Sequence, residues 1–140
     1  PNAELLLAGP NEHLIEELDR LPGIQILGFV PDLMELLGRV RLVLAPLWSG
    51  RGFRVKNATA LSYGVPIITN ELGSRGCRAP DPACIIAESA QDLAKAALRH
   101  LESPELASAA GELAREWACE NYAPTAVARL QLDRAKKLVS

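Results

Sequence analysis

RLVLAPLWSGRGFRVKNATALSYGVPIITN, residues 41–70, joins two apolar runs through a glycine-bearing turn and a helical segment. RLVLAPL, at 41–47, reads as a strand buried on both faces, because its apolar residues run on without alternation. Residues 54–63 suit a helix, and Gly64 supplies its stop, since the residue after a last helical turn favours the left-handed region open to glycine. VPIITN follows at 65–70 as another strand. A strand, a crossover helix and a second strand in this order call for a parallel pair in one sheet.

The pattern repeats outward in both directions. ELLLAGP, at 4–10, reads as a buried strand ended by Gly9 and Pro10. Asn11 can cap a helix through Arg20, with Leu14, Ile15 and Leu18 on one face. IQILGF, at 24–29, is the next strand, and Asp32 caps a short helix in DLMELLGR after Pro31. ACIIAE, at 83–88, is the last strand. Three helices follow: one opened by Ser89, one capped by Ser103 with Pro104 in its first turn, and one from Pro124 to about Leu138. The middle helix carries an apolar stripe of Leu106, Ala110, Leu113 and Trp117. The expected class is α/β: a Rossmann-like parallel sheet of about five strands with right-handed crossovers, helices on both faces and further helices at the C-terminus. With no repeat, low-complexity segment or linker, residues 1–140 read as a single domain.

Composition removes several function classes. The formal charge is −2, so no net positive field would draw in nucleic acid. No apolar run approaches the roughly 20 residues of a membrane span, and the short apolar run near the start lacks a basic leader. Three cysteines, Cys77, Cys84 and Cys119, give an odd count with no C-x-x-C pair. They read as buried or half-buried free thiols in a reducing, cytoplasmic setting, with neither a disulfide framework nor a zinc site. His13 and His100 fall inside expected helices beside charged neighbours and read as solvated. Metal and serine-hydrolase chemistry therefore have little to stand on. The basic end of the last helix, Arg134, Lys136 and Lys137, reads as a solvated face, with membrane contact open but unsupported. Trp117 reads as core.

Ligands of such sheets bind beyond the carboxyl ends of the strands, which singles out the loops at 9–11, 28–32, 46–54 and 70–78. The stretch from 46 to 70 holds no acidic residue. Gly50 and Gly52 let backbone approach a ligand, and Arg51, Arg54 and Lys56 add cations at the start of a helix. Arg54 and Lys56 cannot both face one point. Free N–H groups and the positive end of the helix dipole make this an anion site, with phosphate the natural guest. A solvated basic turn closing the crossover fits the same residues. Trp48 suits a stacking surface or a domain contact equally well. Known phosphate motifs fail here: Val55 stands where a dinucleotide fingerprint needs its third glycine, and the P-loop pattern does not occur.

The order of GFVPDL at 28–33, RVRLVLAPL at 39–47, KNATALSYGVPIIT at 56–69 and the glycine-bearing turn at 73–76 resembles the C-terminal domain of GT-B glycosyltransferases. The likeness is to the retaining family-4, or group 1, enzymes and covers almost the whole chain. It implies a domain that binds a nucleotide diphosphate sugar as donor, beside an N-terminal domain that binds the acceptor. Phe29 and Val30 would line the base pocket, Val30 through its backbone. The turn of Gly52, Phe53 and Arg54 would meet the diphosphate, with Gly50, Arg51 and Lys56 beside it. No metal or other cofactor is implied, because helix and cations offset the pyrophosphate charge. These enzymes often carry a Glu-x7-Glu motif, whose second Glu holds the ribose hydroxyls. Here Arg51 and Thr59 stand at those positions. Thr59 can still serve one hydroxyl, whereas Arg51 reverses the charge. No catalytic residue follows from the likeness.

A complete domain of this kind begins with a further strand and helix, so the chain reads as a piece of a larger glycosyltransferase-like protein, inactive by itself. Another reading is a non-catalytic module kept for assembly or ligand binding. A receiver-like or epimerase-like α/β domain is the third.

Overall fold

A computed structural model describes residues 3–10 and 16–139. They divide into two compact units, Pro1–Arg39 and Val40–Ser140. The α/β class and the parallel pairing agree with the sequence reading. The single sheet of about five strands does not appear as such; its five strands form a pair in one unit and a trio in the other.

In the first unit, β1 (Leu5–Ala8) pairs with β2 (Ile24–Gly28) in parallel, Leu5 opposite Ile24 and Leu7 opposite Ile26. β1 is half-buried rather than buried, and Leu5 is exposed. Asn11, His13, Leu14 and Ile15, the start of the expected helix, lie outside the described residues. Its remainder is a 3-10 helix, Glu16–Arg20. Pro22 has no N–H to carry an α-helical ladder onward, and the chain turns through the Leu21 amide, which donates to Leu18 at 3.0 Å. α1 (Leu33–Leu37) starts where the Asp32 carboxylate accepts the amides of Met34 at 2.9 Å and Glu35 at 3.0 Å.

In the second unit, β3 (Val43–Leu44), β4 (Ile67–Thr69) and β5 (Cys84–Ile86) run parallel in the order β3-β4-β5. β4 is the middle strand, and all three of its residues are buried. β3 is shorter and wetter than RLVLAPL suggested. Leu44 is exposed, because β3 has a ladder partner on one side only in this trio and Pro46 brings no N–H to a ladder. α2 (Val55–Ser62) ends on Gly64 at φ +71°. The Val65 amide donates to the Ala60 carbonyl and the Gly64 amide to Leu61, both at 2.9 Å, which is the Schellman pattern. α3 (Glu71–Ser74) is a single turn capped by Asn70.

The last three helices sit where expected: α4 (Ala90–Glu102) capped by Ser89, α5 (Pro104–Tyr122) capped by Ser103, and α6 (Pro124–Val139). α4 lays Leu93 and Ala97 against Ile68 and Ala87. His100 continues that face and is 1% exposed, not solvated; charged sequence neighbours say little about a residue three positions beyond Ala97 on a buried stripe. On α5 the buried residues are Ala110, Ala114 and Ala118, while Trp117 is half-buried at the flank. Small side chains let α5 come close to α2. A Cβ on Gly111 would stand 2.7 Å from the Gly64 carbonyl oxygen.

Candidate functional site

The second unit gathers its candidate residues at the carboxyl ends of β3 and β4. Beyond β3 the chain is gripped from β4: the Asn70 side chain accepts the Leu47 amide at 3.0 Å and donates to the Leu47 carbonyl at 2.8 Å. The loop then turns through Gly50 at φ +129° and Gly52 at φ +87°, values that a side chain would strain. Arg54 curls the loop around itself, donating to the carbonyls of Arg51 at 3.1 Å and Gly50 at 3.3 Å. Its Nε is buried with no partner. Arg54 therefore shapes the loop from within. Arg51 and Lys56 are exposed, and neither pairs with an acid among the described residues.

α2 begins at the end of this loop with Arg54 at its cap position, and no side chain caps the helix. Among the described residues, the amides of Gly52, Phe53, Arg54 and Lys56 have no acceptor. Four open amides, the positive end of the helix and two unpaired cations thus lie along a stretch without a carboxylate. That arrangement suits an anion with several oxygens.

Thr59 lies one turn further on and donates its hydroxyl to the Val55 carbonyl at 2.9 Å, which leaves its lone pairs free to accept. Phe53 puts its ring against Gly76 and edge-on to Tyr122, with ring centroids 5.6 Å apart. Trp48 stands 76% exposed. Phe29 and Val30 belong to the other unit, on the turn after β2, where Phe29 is exposed and Val30 half-buried. Glu71 pairs with Arg78, and the Glu88 carboxylate accepts the Glu71 amide at 2.7 Å.

Three residues that sequence reasoning passed over organise the site. Asn70 grips the loop's start. Asn57, buried in α2, donates to the Gly73 carbonyl at 3.0 Å and ties α2 to α3. Tyr122 closes the far side, donating to the Gly76 carbonyl at 3.1 Å. Only Asn70 carried a signal, as a helix-capping type directly after an apolar strand.

The nearby thiols are poised to stay neutral. Burial pushes the Cys77 thiol up, opposed by its hydrogen bond with Tyr122 and by the Arg54 charge. Burial pushes Cys84 up to about 11, with neighbouring Cys77 adding to the rise. Burial and Cys77 likewise raise the Tyr122 phenol. Cys119 is exposed rather than half-buried, on the outer face of α5. Among the described residues no group of three His, Cys, Asp or Glu side chains is placed to hold a metal.

The family model described as glycosyl transferases group 1 matches residues 1–103. No protein of curated function matches the chain.

Proposed function

The chain belongs to the group 1 glycosyltransferases, and from that premise we propose that it binds the nucleotide diphosphate sugar from which a sugar is transferred. The loop at 50–56 carries this reading. It offers open amides, two unpaired cations and glycine-lined backbone at the start of α2. As the bond between sugar and diphosphate breaks, negative charge gathers on the leaving oxygens. Donors already aimed at that charge stabilise it without reorganising. In this reading Arg51 and Lys56 face the diphosphate, while Gly50, Gly52 and Phe53 bring backbone to it. Arg54 keeps the loop in shape, and Thr59 accepts from one ribose hydroxyl. Cations and helix offset the charge, so no metal is called for. An N-terminal acceptor-binding domain completes the transferase. The free thiols suit a cytoplasmic location.

The test is a titration of the chain with UDP, GDP and their sugars, followed through amide NMR shifts. Saturable shifts at residues 50–59 are expected, and the preferred nucleotide identifies the donor class. Lys56→Ala and Arg51→Ala should each weaken binding by about 1–2 kcal/mol, less at high salt. Silence of the loop towards every nucleotide, in this chain and in the chain joined to its acceptor domain, would sink the proposal.

One observation favours a second reading, a binding or assembly module without turnover. The positions of the two family carboxylates are Arg51 and Thr59, so neither offers a charged acceptor to the donor. Nucleotide binding without hydrolysis or transfer of the sugar would select it.

A further inference from the structure

We infer that Tyr122, at the end of α5, is a positioning residue for the loop at 50–56, an assignment that rests on the donor-site reading of that loop. Both Tyr122 and its neighbour Trp117 lie beyond residues 1–103, the part that the family model matches.

Three segments meet at Tyr122. Its hydroxyl donates to the Gly76 carbonyl at 3.1 Å, fixing the turn that follows α3. Its ring meets Phe53 edge-on, at 5.6 Å and an interplanar angle of 89°. Trp117, one turn earlier on α5, braces it from behind, also edge-on, at 5.1 Å. Phe53 in turn rests on Gly76, where a Cβ would stand 2.9 Å from its ring. The next residue of that turn, Cys77, points its thiol at the Arg54 carbonyl, 3.8 Å away. The same carbonyl accepts the amides of Asn57 and Ala58, each at 3.0 Å, as the first bonds of α2. The peptide groups from Phe53 to Arg54 are therefore held on the outside by Tyr122, through Phe53 and through the turn at 76–77.

Burial alone does not account for this arrangement. Phe53 remains 53% exposed, so the contact removes only part of its apolar surface from water. What the edge-on pair supplies is direction, since aromatic rings meet in few geometries. Direction is what the open amides of Gly52, Phe53 and Arg54 require. A shift of about 1 Å in groups that bind or stabilise charge has large consequences for a site.

Two variants test the assignment. Tyr122→Phe keeps the ring and removes the hydroxyl, and Phe53→Leu keeps apolar volume and removes the edge contact. Ile67→Val, in β4, serves as a control that lowers stability without touching either residue. Exchange of the Asn57 and Ala58 amides reports the Arg54 carbonyl directly, and titration with inorganic pyrophosphate reports the site. Both variants should speed exchange at those two amides about tenfold relative to β4, and weaken pyrophosphate binding three- to tenfold. Ile67→Val should change exchange evenly and leave binding alone. The assignment falls if the two variants behave like Ile67→Val, or if exchange changes locally while pyrophosphate affinity does not. If the unaltered chain, alone and joined to an acceptor domain, binds no pyrophosphate or nucleotide, the donor reading fails; local exchange at Asn57 and Ala58 still decides whether Tyr122 holds the loop.

Discussion

Asn70 holds Leu47 by both of its backbone groups, accepting the amide at 3.0 Å and donating to the carbonyl at 2.8 Å. Its side-chain oxygen also takes the Gly73 amide at 3.0 Å. One side chain thus fixes the segment after β3, the start of the glycine-bearing loop and the first turn of α3. Asn70→Ala should lower stability by about 2–4 kcal/mol, from three partly buried bonds at about 1 kcal/mol each plus the groups left unsatisfied. Asn70→Asp keeps the accepting oxygen but turns a carboxylate towards the Leu47 carbonyl, so it should not rescue. Urea midpoints measure both; an Asn70→Ala protein that unfolds with the unaltered chain would contradict the clamp.

Gly73 has no room for a methyl group. A Cβ there would overlap the Thr69 hydroxyl and stand 3.0 Å from the Ala45 carbonyl oxygen. Thr69 cannot simply swing aside, because its hydroxyl donates to that same Ala45 carbonyl at 2.8 Å. Gly73→Ala should cost about 1–3 kcal/mol. Adding Thr69→Ala removes one of the two clashing groups, so the double variant should lose less than the sum of the singles. Strict additivity would show that the overlap is relieved by backbone movement instead.

Stability should fall in alkali. The Cys84 thiol is raised from 9.0 to about 11, so the folded chain holds this proton more tightly than the unfolded chain. Its contribution is complete below the unfolded value and drains as pH climbs through 9 towards 11. The raised Tyr122 phenol works in the same direction at higher pH. Urea midpoints at pH 7, 9 and 10.5 should decline by the equivalent of about 1–3 kcal/mol in total. Cys84→Ala should flatten the decline. An equally steep fall in Cys84→Ala would assign it elsewhere.

Thr59 offers the simplest gain-of-function test. It is half-buried on α2, and its hydroxyl, which donates to the Val55 carbonyl, offers a ligand lone pairs but no charge. Thr59→Glu restores a charged acceptor one turn from the loop, in a helix that favours glutamate over threonine. If the loop holds the diphosphate of a nucleotide, affinity for that nucleotide should rise about tenfold, as a hydrogen bond to a charged group allows. Calorimetry with the nucleotide found by titration reads the change. An unchanged or weaker affinity would separate Thr59 from the ribose.

Much of the fold could be read from local chemistry. Asp32, Ser89 and Ser103 cap the helices they were expected to cap, and Gly64 ends α2, because each acts within a few residues of itself. What could not be read depends on distant partners. The length of β3 is set by which neighbours pair with it. The buried face of α5 is set by Gly64, across a close approach that favours alanine over the larger Leu113 and Trp117. In the site, the glycines and cations were legible by type and spacing. The inward turn of Arg54 was not, since a guanidinium serves a ligand or two loop carbonyls equally well in sequence. Tyr122 gave no signal, because it lies 46 positions from the carbonyl it holds.

The contact of Gly64 with Gly111 has a practical side for anyone expressing parts of this protein. Residues 1–103 look like a natural boundary, since the family model stops there. A chain cut at that point would lose α5, and with it the partner of α2 and the tyrosine beneath Phe53. It would strip α2 of the helix packed against it, and a sticky, poorly behaved product is the expected result. The useful unit for biochemistry extends at least to Tyr122.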